Sequence, residues 1–215
     1  MEATIYSKSL LKDIADIEGF KWKNRYIRYD NRNSVRVNRF ILSPDLVTSH
    51  YEGPIPPTQF VIIPKNKTSL KREFLSFIFE SGIFYAHLEA RQGKNAPALV
   101  ATEFDLLTFD VPLPTPDLQL LICKQQAAFE WAKNNINDGY RYSGLRMATY
   151  DEIRHIVAYE LYYPNKTRLM NIHPLKALYG IADALDDPKG LFDVLLFERP
   201  EMMEQIKRFR SYIHF

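Results

Sequence analysis

The chain has 215 residues, of which 46% are hydrophobic and 25% are charged. This length suffices for one large domain or two small ones, and this composition excludes an intrinsically disordered chain. The formal net charge is only +2, so overall charge selects no class of partner. Cys123 is the single cysteine, which excludes an intrachain disulfide and a cysteine-based zinc site and fits a reducing cytoplasm.

The N-terminal third predicts a short helix followed by strands. Residues 9–18 place leucines and isoleucines at helix-like spacing, and Gly19 is suited to end such a helix. Residues 25–42 alternate in places between polar and β-branched types, which indicates strands joined by an Asn-rich turn at 30–34. Residues 59–64, QFVIIP, predict the clearest strand, because they are β-branched and bounded by proline.

The middle of the chain predicts helices separated by one polar loop. An apolar stripe of Leu, Phe and Ile indicates a helix over about 70–81. Gly82 could end this helix, or the chain could stay helical through residues 86–91, and the loop RQGKNAP follows at 91–97. Thr102 precedes Asp105 in the pattern of a capped turn, and residues 109–112 predict a short strand. A longer helix of about 18 residues is expected from Asp117.

The last third predicts a helical subdomain over 145–215, separated by a boundary near 137–144. Thr149 and Glu152 form a capping-box pattern for a helix through Leu161. Prolines at 164, 174, 188 and 200 divide the rest into short helical segments. The predicted fold class is therefore α+β: a small mixed β-sheet recognition domain over 1–136 with short helices and one longer exit helix, then the helical C-terminal subdomain.

Motifs for catalysis and membrane association are absent from the sequence. The chain has no G-x-S-x-G, no H-E-x-x-H, no G-x-G-x-x-G and no P-loop. Its first residues lack the apolar core of a signal peptide, and no apolar run approaches the roughly 18 residues of a membrane span. We therefore expect a cytoplasmic protein that is not an enzyme, with no cofactor, no metal and no membrane partner.

Positive charge is concentrated in one segment. Seven Lys and Arg residues lie between Lys21 and Arg39 against a single acid, Asp30, and they are interleaved with Tyr, Trp and Asn. Basic groups bind phosphates, and Arg and Asn side chains can read purine edges. This pattern favours a nucleic-acid contact over the alternative of a strand pair with a solvated, charged face.

Four stretches in one order carry a family resemblance: LLKDIADIEG (10–19), residues 59–88 beginning QFVIIP, residues 90–119 beginning ARQGKNAP, and ICKQQAAFEWAKNN (122–135). In order and spacing they resemble a target-recognition domain of the specificity subunits of type I restriction-modification systems. The resemblance covers residues 9–136 and includes a single recognition domain, and residues 145–215 have no counterpart in it.

This resemblance implies sequence-specific recognition of double-stranded DNA without catalysis, in the cytoplasm, as part of a defence system. In the family, methylation belongs to partner modification subunits, and cleavage and translocation belong to a motor subunit. Methyltransferase and restriction subunits are therefore expected partners. Since half-length members of the family must pair, a homodimer is a further expectation.

Three groups of residues are predicted to contact DNA. The first lies on the early strands and their turn, the second at a strand end, and the third in the loop that contains Gly93. The candidates are Lys21, Lys23, Arg25, Arg28, Arg32 and Arg36, then Lys65 and Lys67, then Arg91, Gln92, Lys94 and Asn95.

Two other functions remain open on the sequence alone. One is a protein-binding adaptor of a phage-defence or mobile-element system that uses the same fold, with the aromatic C-terminus FRSYIHF as a docking segment. The other is an enzyme whose active site follows no recognisable motif. Retention on heparin and a mobility shift with random duplex distinguish the adaptor from DNA recognition, because a DNA-recognition protein binds both and the adaptor binds neither.

Overall fold

The structure is a computed structural model that describes residues 6–19, 33–49, 54–65, 70–94, 96–135 and 143–212. The chain divides into two compact units. We call residues Ser7–Leu113 the sheet unit, and residues Met1–Tyr6 with Pro114–Phe215 the helical unit. The mixture of small sheets and helices confirms the α+β class.

The sheet unit holds all the described strands. Its elements are β1 (Ser7–Leu10), α1 (Leu11–Ile14), β2 (Ala15–Gly19), β3 (Val35–Asn38), β4 (Phe40–Ile41), a 3₁₀ turn (Pro44–Leu46), β5 (Gln59–Pro64), α2 (Arg72–Glu80), α3 (Ile83–Gln92), β6 (Leu99–Val100), α4 (Glu103–Leu107) and β7 (Asp110–Leu113). The described strands form a three-stranded sheet in the order β2-β5-β3 and two ladders, β1-β7 and β4-β6. Every described strand pair is antiparallel.

The core of the sheet unit lies around β5, as its β-branched sequence predicts. Residues 59–62 are buried, and the predicted strand is confirmed with its bounds. The predicted helix over 70–81 is confirmed as α2, which buries Phe74 and Phe77 among other apolar residues. A second helix, α3, begins directly after Gly82. The capped turn is confirmed as well, since Thr102 and Asp105 form a reciprocal capping box at α4.

The helix expected over residues 9–18 is wrong. The structure has one helical turn, α1, between the strands β1 and β2. β2 pairs with β5 along its whole length, from Ala15 opposite Pro64 to Gly19 opposite Phe60. The helix-like spacing is overridden because this long-range pairing satisfies the backbone and half-buries residues 17–19.

The helical unit consists of helices and tight turns. They are α5 (Pro116–Asn135), α6 (Ser143–Tyr162), α7 (Pro164–Leu169), α8 (Pro174–Gly180), a 3₁₀ turn (Ala184–Asp186), α9 (Leu191–Asp193), a π-helical turn (Val194–Glu198) and α10 (Glu201–Tyr212). The expected stripe of α5 is buried, including Ile122 and Phe129. The capping box at Thr149 is wrong: Thr149 lies inside α6, which begins at Ser143, and it is buried.

The compact units do not follow the predicted division at about 136–145. The sheet unit ends at Leu113, and α5 groups with the C-terminal helices because it contacts α6 and the 3₁₀ turn at 184–186. The assignment of residues 1–136 to DNA recognition and of 145–215 to a separate subdomain stays a prediction. Within the described residues, no helix is both long enough and apolar enough to cross a membrane.

Candidate functional site

The predicted DNA contacts divide into residues that the structure describes and residues that lie outside the description. The latter are Lys21, Lys23, Arg25, Arg28, Arg32, Lys67 and Asn95. Arg36, the described member of the first group, lies in the middle of β3 and is only 2% exposed. Its neighbours Val35 and Val37 are buried too, so both faces of β3 are covered. A DNA contact by Arg36 stays a prediction, which this burial does not favour.

Lys65 stabilises the short helix α1. Its ammonium donates a hydrogen bond of 2.7 Å to the carbonyl oxygen of Lys12, and it lies 3.9 Å from a carboxylate oxygen of Asp16. The cation therefore meets the free carbonyls at the end of α1, where positive charge is favourable. Lys65 is half-buried in this arrangement, and its role in DNA binding stays a prediction.

Arg91 is held by two partners within the sheet unit. Its guanidinium bonds the carboxylate of Asp105, which is buried, and it lies 5.0 Å from the ring centre of Phe104. Asp105 also accepts hydrogen bonds from the backbone and hydroxyl of Thr102. Arg91 thus pairs with the buried carboxylate of Asp105, and this contact fixes the position of the residue at which the following loop begins.

Gln92 closes the base of the same loop. Its side-chain amide donates to the carbonyl of Val100 at 2.8 Å and accepts from the Val100 amide at 2.9 Å. Gly93 has a φ of 91°, and a Cβ there would meet no atom within 4 Å. Glycine is therefore favoured at position 93 because of its positive φ, and not because neighbouring atoms leave no room for a side chain. Lys94 is exposed beyond it, so it is the described member of this group that is best placed to contact a partner.

A residue absent from the predicted contacts, Arg39, occupies a prepared position between β3 and β4. Its guanidinium lies 4.3 Å from the ring centre of Phe60. Its backbone amide bonds Thr58 and its carbonyl accepts from Ala101, both at 2.8 Å. A Cβ on Gly19 would lie 3.2 Å from the Nη2 atom of Arg39, so glycine at that position leaves room for the guanidinium.

The guanidinium of Arg39 has no acidic partner among the described residues. Among the described residues no carboxylate forms an ion pair with it, and its Nε is buried without a hydrogen-bond acceptor. Stacking on an aromatic ring leaves the two Nη groups of an arginine as the donors for a bidentate acceptor. Sequence reasoning overlooked Arg39 because its neighbour Phe60 is brought beside it only by the β3-β5 register.

A polar cluster lies next to Arg39 at the same end of the sheet. The side-chain amide of Gln59 donates to Asn38 Oδ1 at 3.0 Å and to Ser49 Oγ at 2.7 Å. Asn38 in turn donates to the carbonyl of Leu46 at 2.8 Å. Because Asn38 pairs with Gln59 across the β3-β5 register, this network ties the turn at 44–46 to the sheet.

The structure places the third predicted group near Arg39 and places Lys65 elsewhere. Arg39 directly precedes β4, β4 pairs with β6, and Gln92 bonds β6, so Arg39 and the loop after Gln92 adjoin one ribbon. Lys65 follows the other end of β5 from Gln59. Six strand residues at about 3.3 Å each place it roughly 20 Å away. Lys65 is therefore not part of the surface around Arg39.

No group of three or more His, Cys, Asp or Glu among the described residues is arranged to hold a metal ion. His87 is packed among Phe84 and Phe109, and burial, followed by the charge of Arg91, lowers its pKa. Glu160 on α6 accepts a hydrogen bond from the Leu175 amide, which is a structural contact at the start of α8.

Comparisons with known proteins give one partial similarity. No family model matches the chain, and no curated protein sequence matches it significantly. The structure is similar to the crystal structure of the HsdS subunit from Thermoanaerobacter tengcongensis, with 13% sequence identity and a TM-score of 0.40. The match covers 73% of this chain and 44% of that chain, so the chain spans less than half of that protein's length. A TM-score this low carries no functional argument, and the family resemblance stays a prediction.

Proposed function

We propose that this protein recognises double-stranded DNA by sequence and performs no chemistry on it, in the manner of a restriction-modification specificity subunit. The observation that carries the proposal is Arg39. Its guanidinium is fixed over Phe60, has no ion-pair partner among the described residues, and adjoins Gly19, after which the basic segment of the chain begins. A preorganised arginine of this kind suits the O6 and N7 acceptors of guanine or a phosphate.

Binding divides into two terms in this proposal. Lys94 and the basic residues after Gly19 contact phosphates and make affinity depend on salt, with a slope of about 0.9 per contact. Arg39 contacts a base edge, which contributes roughly 1–3 kcal/mol of discrimination between bases. The protein acts in the cytoplasm, and methyltransferase subunits or a second copy of the chain supply the surfaces that a single recognition unit lacks.

The test is a mobility shift of the whole protein with random 30-base-pair duplex, followed by selection of a preferred sequence. Arg39→Ala is expected to weaken binding to the selected duplex roughly five- to 150-fold. Arg168→Ala, which removes an exposed arginine from α7 in the helical unit, is the matched control and should bind as the wild type does. Failure of the wild type to shift any duplex at low salt would refute the proposal.

Lys94→Ala separates the two terms. Loss of a phosphate contact should lower the slope of log affinity against log salt by about 0.9 and leave the preferred sequence unchanged. Arg39→Ala should instead relax the preference at one position of the site. If both variants reduced binding to all duplexes equally, base recognition by Arg39 would be wrong.

A further inference from the structure

The ribbon formed by β4 and β6 presents apolar side chains to solvent. Phe40 is opposite Val100 in the ladder, and the two are 59% and 39% exposed. Burial alternates along β4 and the residue after it, since Ile41 is buried and Leu42, which follows the strand, is 66% exposed. Phe40, Leu42 and Val100 thus form an outward apolar face, which we call the ribbon face. Contiguous exposed apolar groups on a folded protein mark a surface that contacts something else.

The β6 edge of this ribbon is closed at Val100, which favours contact through the face. The N–H and C=O of Val100 that point away from β4 are both bonded by the side chain of Gln92. An added strand would need those same groups. Gln92 therefore prevents extension of the ribbon at Val100 and directs contact to the side chains.

Charge selects the partner. Three partly exposed side chains present far less than the roughly 800 Å² per partner that a stable protein interface buries, so the ribbon face is one part of a larger contact. Arg39 adjoins one strand of the ribbon and the exposed Lys94 lies in the loop before the other, which suits an anionic partner. Two exposed acids, Asp45 and Glu103, lie outside the ribbon, in the turn at 44–46 and in α4.

We propose that the ribbon face contacts the C5-methyl groups of thymine in the major groove of duplex DNA. Two strands about 4.8 Å apart, with their side chains, fit a groove about 12 Å wide. The thymine methyl is the apolar feature of that groove, and Phe is among the side chains that contact it. This inference rests on the proposed DNA recognition and adds to it the base that the ribbon reads.

The experiment replaces thymine by deoxyuridine, which lacks the methyl group and keeps every hydrogen-bonding group. The whole protein selects a duplex from a random library, and each thymine of that duplex is then changed to deoxyuridine singly. At one or more positions the wild type should lose about fourfold in affinity per methyl, the factor that corresponds to burial of one such group. Phe40→Ala should bind the two duplexes equally at that position.

Phe104→Ala is the matched control. Phe104 is 60% exposed and lies on α4, outside the ribbon, so this variant should keep the difference between thymine and deoxyuridine. Thermal unfolding of both variants checks that the sheet unit is intact. A selected site without thymine, or equal binding of the thymine and deoxyuridine duplexes by the wild type, overturns thymine contact and leaves DNA recognition standing. Failure to select any duplex refutes both proposals.

Discussion

Glu160 provides a test of the energetics of the helical unit. Its carboxylate lies on α6, and its Oε2 accepts a hydrogen bond of 2.7 Å from the Leu175 amide in the first turn of α8. Burial raises the pKa of Glu160 from 4.5 to about 7, even though the bond from Leu175 acts in the opposite direction. The folded protein therefore holds a proton that the unfolded chain releases.

The sign of the effect follows from proton binding. Between pH 4.5 and about 7 the folded state binds more protons at Glu160 than the unfolded state, so the free energy of unfolding falls as pH rises. A pKa difference of about 2.5, from 4.5 to about 7, corresponds to about 3 kcal/mol at roughly 1.4 kcal/mol per unit. This contribution is fully present below pH 4.5 and is lost above pH 7.

The variant Glu160→Gln isolates this contribution, because the amide keeps an acceptor for Leu175 and does not ionise. Urea unfolding followed by helical circular dichroism, at pH values from about 4 to 8.5, gives the stability of both proteins. The variant should gain about 3 kcal/mol relative to the wild type across this range. The lowered pKa of His87 acts in the opposite direction, since stability is lost as pH falls, but it is common to both proteins and cancels. A difference independent of pH would refute the reasoning.

Three further substitutions test contacts in the two units. Gln125 on α5 is buried and both of its amide atoms lack a partner in the described structure, so Gln125→Leu should raise the free energy of unfolding by about 1–3 kcal/mol. A loss of stability in urea unfolding would show that the amide is satisfied. Asp105→Asn removes the charge that Arg91 faces and should cost about 2 kcal/mol or more, measured by thermal unfolding; an unchanged midpoint would contradict the role of this pair. Gly93→Ala places a side chain at a φ of 91° and should cost about 1–3 kcal/mol, whereas an unaffected variant would mean that the loop relaxes.

The parts of the fold that sequence predicts well are those whose signals are local. QFVIIP combines β-branched residues with a bounding proline, and the strand is found over Gln59–Pro64. The Thr102 and Asp105 capping box lies within one helical turn and forms as expected. In each case the residues that determine the structure are adjacent in the chain, so tertiary contacts reinforce the local preference.

Local sequence patterns predict the structure wrongly where pairing with a strand distant in sequence determines it. Residues 9–18 have helix-like spacing, but β5 offers residues 15–19 a complete ladder of hydrogen bonds. Arg36 is predicted from the sequence to contact DNA, but its strand β3 is covered on both faces. Arg39 is flanked in sequence by ordinary strand residues, and its position over Phe60 depends on a register set 21 residues away. The sequence therefore predicts that basic residues are concentrated near this site, but it does not predict which side chains lie next to one another.

The pairing of β1 with β7 brings the two ends of the sheet unit together. Ser7 is opposite Leu113, so the points where the chain enters and leaves the sheet unit are about 5 Å apart. The residues before Ser7 and after Leu113 belong to the same unit. Residues 7–113 are thus an inserted cassette with a single narrow junction. Replacement of the whole cassette would need only this one junction, between Ser7 and Leu113, to be matched to the rest of the chain.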